Sequence, residues 1–145
     1  MKNTTEKVKE FLDDHEFKYN FKNNMFHLGL TLGTDDSKDM RGEDLNFIFE
    51  PNDKLNIVRI IMLIDGTFTK TNTLMDKINE INSNLELGNL IALDLKDNEG
   101  EVKLICRHVF ILGNSNKLMN KKQFELLFTY MHFVQFITFK ELGVN

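Results

Sequence analysis

Apolar positions change their spacing several times along the chain, and each change marks an element. Val8, Phe11, Leu12 and His15 recur at i, i+3, i+4 and i+7, the spacing of one helix face. Asn3 and Glu6 stand three apart just before them, an asparagine form of the capping box. From Phe17 the period becomes two. Phe17, Tyr19 and Phe21 alternate with Lys18 and Asn20. After a turn-like Lys22-Asn23-Asn24, Phe26, Leu28, Leu30 and Leu32 alternate with His27, Gly29 and Thr31. Such alternation predicts strands with one apolar face. Residues 33–44 read as a polar loop, after which Leu45, Phe47 and Phe49 resume the alternation. Pro51-Asn52-Asp53 carries turn chemistry, with proline suited to the second turn position. Leu55 to Ile64 is apolar on both faces except for Asn56 and Arg59, the pattern of a central strand covered on each side.

The second half repeats the alternation of periods. A helix is predicted to start at Thr71 to Thr73, any of which can cap it, with the narrow stripe Leu74, Ile78, Ile81 and Leu85. Strand-like residues return from Leu87 to Leu95, a turn occupies Lys96 to Gly100, and a further strand spans Glu101 to Ile111. Gly113-Asn114-Ser115-Asn116 reads as a loop. A last helix runs from about Met119 to Leu142 with no breaker inside it. The predicted order is α-β-β-β-β-α-β-β-α. Helices interspersed with hairpins, without βαβ regularity, predict an α+β fold in which three helices pack on a mostly antiparallel sheet. A chain of 145 residues is expected to form a single domain over 1–145.

The last helix does not sort cleanly into two faces. Winding it at 100° per residue gathers Phe124, Leu126, Leu127, Tyr130, Met131, Phe133, Val134 and Ile137 on one broad face, expected to be buried. Lys121, Lys122, Glu125 and His132 lie opposite, yet Phe128, Phe136 and Phe139 fall among them. A helix that is apolar nearly all round needs cover on two sides. Either another segment of the chain supplies the second cover, or a second subunit or bound segment does. Phe128, His132, Phe136 and Phe139 are therefore candidate residues for a protein-binding or dimer interface. Arg59, alone on an apolar strand, either pairs with a neighbour on the sheet face or anchors a partner.

Composition sharpens that question. There are 13 Phe, no Trp and one Ala, and Lys outnumbers Arg 15 to 3. Base composition of an AT-rich genome can produce this bias, but it does not place five of the 13 Phe between residues 124 and 139. The net charge of −4 and the lack of a basic cluster larger than Lys121-Lys122 argue against a nucleic-acid partner. No apolar run approaches the roughly 18 residues of a membrane helix. Residues 1–7 lack the apolar core of a secretory signal, and a single cysteine cannot close an internal disulfide. A cytoplasmic protein without membrane association is expected.

Candidate chemistry is thin. Asp35, Ser37 and Asp39 have the alternate spacing of a calcium loop, but its glycine and bidentate glutamate positions fall on Met40 and Asn46. Cys106 and His108 share a strand face, but the further ligands of a zinc site and the orienting group of a thiol nucleophile are not near them in sequence. Nucleophile-elbow, phosphate-loop and zinc-protease motifs do not occur. No catalytic residue, metal ligand or cofactor site is assigned, and the chain is not expected to be an enzyme.

One resemblance carries further. Ile78-Asn79-Glu80-Ile81-Asn82 leads through Leu87-Gly88-Asn89-Leu90-Ile91-Ala92-Leu93-Asp94 into Asn98-Glu99-Gly100-Glu101-Val102, and then to a second strand, a Gly-Asn loop and a long helix. This resembles the YbjN-like proteins, which share the type III secretion chaperone-like fold. Asn79 and Asn82 match the family's N-x-x-N helix end, and Asp94 and Gly100 match its later acidic and turn positions. The resemblance implies a chaperone-like or regulatory α+β module, often dimeric, that binds other proteins through apolar grooves. The alternative is a small-molecule-sensing regulatory domain with a pocket between the sheet and the last helix.

Overall fold

The computed structural model describes residues 2–32 and 43–143, so the acidic stretch with Asp35, Ser37, Asp39 and Met40 lies outside the described residues. Three helices and seven strands follow one another as α1 (Thr4–Asp14), β1 (Tyr19–Lys22), β2 (Met25–Leu32), β3 (Glu43–Asn52), β4 (Ile57–Leu63), β5 (Phe68–Thr69), α2 (Asn72–Asn84), β6 (Asn89–Asp94), β7 (Glu101–Ile111) and α3 (Lys121–Leu142). The hydrogen-bonded order is β1-β2-β3-β4-β7-β5, with β6 also on β7. The fold is α+β with an antiparallel sheet, and the element order is the expected one with one addition, the two-residue β5. So short a strand leaves no periodicity to read. The chain divides into two compact units, Met1–Met62 with Val109–Lys121, and Leu63–His108 with Lys122–Asn145.

In the first unit, α1 forms where the pattern predicts it. The Asn3 side chain accepts the Glu6 amide at 2.8 Å, and Val8, Phe11 and Leu12 are buried. His15 closes the helix, its ring 4.7 Å from that of Phe11. Between β1 and β2, Asn23 and Asn24 both take left-handed φ values of 54° and 61°, the two-residue hairpin turn whose twist suits antiparallel strands. The β2–β3 register sets Phe26 opposite Phe49, Leu28 opposite Phe47 and Leu30 opposite Leu45. A slip of one residue would turn this whole set to the other face. Each fully buried Phe or Leu contributes roughly 1.5–3 kcal/mol relative to exposure, so the register is strongly specified.

Three expectations in this unit need correction. Phe21 does not join the core; it is 51% exposed, because it sits on the terminal strand with its ring against Phe26 at 4.6 Å. Pro51 lies within β3 and is buried, and the turn falls later, at residues 53–56. The Asn52 side chain accepts the Leu55 amide at 3.0 Å, and Asn56 takes the left-handed φ of 54° that asparagine tolerates. Leu55 therefore belongs to the exposed turn rather than to β4. The turn also serves α1: the Asp53 carboxylate accepts both the amide and the hydroxyl of Thr5, satisfying a donor that every helix start leaves open.

In the second unit, β7 is the organising strand. Leu90 pairs with Cys106 and Ala92 with Leu104 along β6, while Phe68 pairs with Val102 from β5. Thr71 caps α2 by accepting the Leu74 amide at 3.0 Å, and Leu74, Ile78 and Ile81 are buried. Gly88 precedes β6 with φ +73°, and a Cβ there would stand 2.7 Å from the Arg107 carbonyl oxygen. Only glycine fits both the conformation and the space.

Candidate functional site

The last helix is where expectation and structure differ most. Its buried side chains are Phe124, Leu127, Met131, Val134, Gln135 and Thr138. Two of the six are polar, which is why counting apolar residues misplaces the face. Leu126 and Phe133, read as core, are 63% and 52% exposed; Phe136 is 59% exposed. Phe128, His132 and Phe139 are half-buried, and the Phe128 ring lies 6.1 Å from that of Phe124. Winding the helix sets Phe128, His132, Phe136 and Phe139 along one flank. Thr138 returns its hydroxyl to the Val134 carbonyl at 2.7 Å, whereas the buried Gln135 Oε1 has no hydrogen-bond partner.

The other flank of α3 meets α2. The Tyr130 hydroxyl accepts the amides of Glu86 and Leu87 at 3.0 and 3.1 Å. Lys77 donates to the backbone carbonyl of Glu141 at 2.8 Å. These two ties, at opposite ends, show that the helices run antiparallel. Between them lies a cleft of about 260 Å³. Ile81, Leu85, Phe133 and Ile137 form its apolar wall, and Glu80, Glu86 and Glu141 stand on its rim. Among the described residues none of these three carboxylates makes an ion pair.

The Asn82 of the helix-end motif has a structural task beside this cleft. Its amide donates to the Leu90 carbonyl at 2.9 Å and accepts the Leu90 amide at 2.7 Å. One side chain thus satisfies both backbone groups of a buried residue and fixes the start of β6 against the end of α2. Asn79 is exposed.

Arg59 belongs to the first unit, apart from the residues of α3 in the chain's division. It bonds Glu50 at 3.0 Å, each side chain about one-third exposed. This is the pairing on the sheet face that its position allowed. Cys106 is buried, and burial pushes its thiol up to about 12, so at neutral pH it is protonated and a poor nucleophile. Burial lowers the His108 pKa. No group of three or more His, Cys, Asp or Glu among the described residues is placed to hold a metal ion. No described helix is long and apolar enough to cross a membrane.

The aromatic flank can be read from helical spacing in the sequence, whereas the cleft cannot. Glu80, Glu86 and Glu141 look like solvated surface residues in sequence; only the pairing of α2 with α3 gathers them.

Comparison with known proteins supports the fold. No protein-family profile matches the chain, and no curated protein matches it. The crystal structure of YbjN from E. coli, a provisionally assigned transcription regulator, is similar to it with a TM-score of 0.58 at 12% identity, covering 95% of this chain and 90% of YbjN. The chain thus has a YbjN-like fold, as the helix-end and hairpin motifs implied.

Proposed function

We propose that the protein is a non-enzymatic, chaperone-like regulatory module of the cytoplasm, a homodimer that holds a protein partner through apolar grooves. The observation that carries this reading is the outer surface of α3, where Leu126, Phe133 and Phe136 are all more than half exposed on a helix already buried along its other side. Each aromatic ring offers roughly 150–250 Å² to bury, and clustered exposed apolar residues mark interaction sites more often than solitary ones. The likeness to YbjN favours a regulatory role over a catalytic one, and Cys106, the sole thiol, is protonated at neutral pH.

In this reading the flank bearing Phe128, His132, Phe136 and Phe139 meets a second copy. A two-fold interface would set each flank against itself. Light scattering on the purified protein tests it. The wild type is expected to be a dimer, and Phe136→Glu is expected to be a folded monomer. A wild type that stays monomeric at high concentration would sink the dimer. Recovery of one reproducible partner from the native host, lost with Leu126→Glu, would support the binding role.

A further inference from the structure

We propose that the α2–α3 cleft recognises a cationic amphipathic segment of a partner protein: a large apolar side chain flanked by lysine or arginine. This rests on the reading of the chain as a protein-binding module and names the chemistry of what it binds.

Four features select that occupant. The wall of Ile81, Leu85, Phe133 and Ile137 needs an apolar group to displace its water. The volume, about 260 Å³, falls below the roughly 300–1,000 Å³ of small-molecule pockets; it suits one or two side chains of a longer segment. The rim carries Glu80, Glu86 and Glu141, and no lining residue is basic. Lys77 donates to the Glu141 backbone carbonyl. Finally, the cleft contains the last turn of α2, and that turn has no basic residue. The negative end of the helix dipole is therefore uncompensated there and adds to the carboxylates.

In a second copy of this chain the exposed Phe21 beside Lys22 and Leu55 beside Lys54 are fixed in a hairpin strand and a turn rather than in a free segment. Its one dibasic pair, Lys121-Lys122, precedes Phe124, which is buried. An acidic amphipathic segment would bring like charge to three carboxylates.

The probes are three short fluorescent peptides: leucine with lysine, leucine with glutamate, and serine with lysine. Binding is read by anisotropy at low and high salt, and the site by amide shifts of Asn84, Glu86 and Leu87. The leucine–lysine peptide is expected to bind best, shift those amides, and weaken as salt rises. Glu80→Gln, Glu86→Gln and Glu141→Gln together are expected to weaken it about tenfold, three rim contacts of roughly 0.5 kcal/mol each. The same three positions changed to lysine are expected to favour the leucine–glutamate peptide, with circular dichroism confirming the fold. Equal binding of both leucine peptides by the wild type overturns the charge assignment but leaves a binding module. Equal binding of the serine–lysine peptide reduces the cleft to an electrostatic contact and overturns the proposal. Shifts confined to other residues, or no binding, overturn the cleft as the site. The dimer measurement reads a different flank and stands or falls separately.

Discussion

Helices α1 and α3 have the same problem of a buried side and an outer side, and the chain solves it differently in each. On α1 the outer side is charged. Lys9 pairs with Asp13 at 2.7 Å, Lys2 pairs with Glu10, and Tyr19 donates to Asp13. On α3 the outer side carries Leu126, Phe133 and Phe136. The same composition bias acts on both helices, so it does not account for the contrast. Where this chain needs a solvated helix face it uses lysine, glutamate and aspartate. The apolar face of α3 is therefore a local feature and calls for a local cause, such as the partner proposed above.

The contrast between the two helices rests on their buried sides. Leu12→Ala and Met131→Ala each remove a fully buried side chain, one per helix. Each is expected to cost about 3 kcal/mol in a denaturant melt. If Met131→Ala costs nothing, the inner side of α3 has been misidentified.

A smaller loss is expected at Asn82→Ala. It leaves the Leu90 amide and carbonyl unpaired where Leu90 is only 2% exposed, at a cost of about 2 kcal/mol. Asn79→Ala serves as the control within the same motif and is expected to change little.

The outer sides come next. Phe133→Gln on α3 and Lys9→Gln on α1 are each expected to alter monomer stability by no more than about 0.5 kcal/mol. The measurement is made at concentrations where the wild type is monomeric. A large loss for Phe133→Gln alone would mean that the chain itself covers that face.

The smallest effect is a pH dependence. Burial lowers the His108 pKa below 6.5, so the unfolded chain binds the proton more readily than the folded one. The stability linked to neutral His108 is fully present above about pH 6.5 and declines as pH falls toward the folded value. Relative to His108→Gln, the wild type is expected to lose melting temperature between about pH 7 and pH 5. An unchanged difference would refute the linkage.

The fold was legible wherever one period ran long enough to be read. The span Glu101–Ile111 of β7 and the Asn3 cap of α1 were both readable because alternation and capping are local signals. Turn placement slipped at Pro51, since the bond that makes the turn comes from the Asn52 side chain. The α3 face was misread because Gln135 and Thr138 lie on its buried side. Thr138 satisfies its hydroxyl within the helix, which lets a polar residue occupy an apolar side. The cleft was illegible because its three glutamates come from two distant segments, and no local spacing links Glu80 to Glu141.

Leu90 lies opposite Cys106 on β7, yet both of its backbone groups bond the Asn82 amide, so they point away from β7. The side chain stands where the next strand of a growing sheet would bond. An open strand border is a template for aggregation, and proteins protect such borders. Here a single carboxamide imitates one residue of a neighbouring strand and blocks β6 to further pairing at that point. The asparagine thus closes one edge position of β6 as well as fixing it against α2.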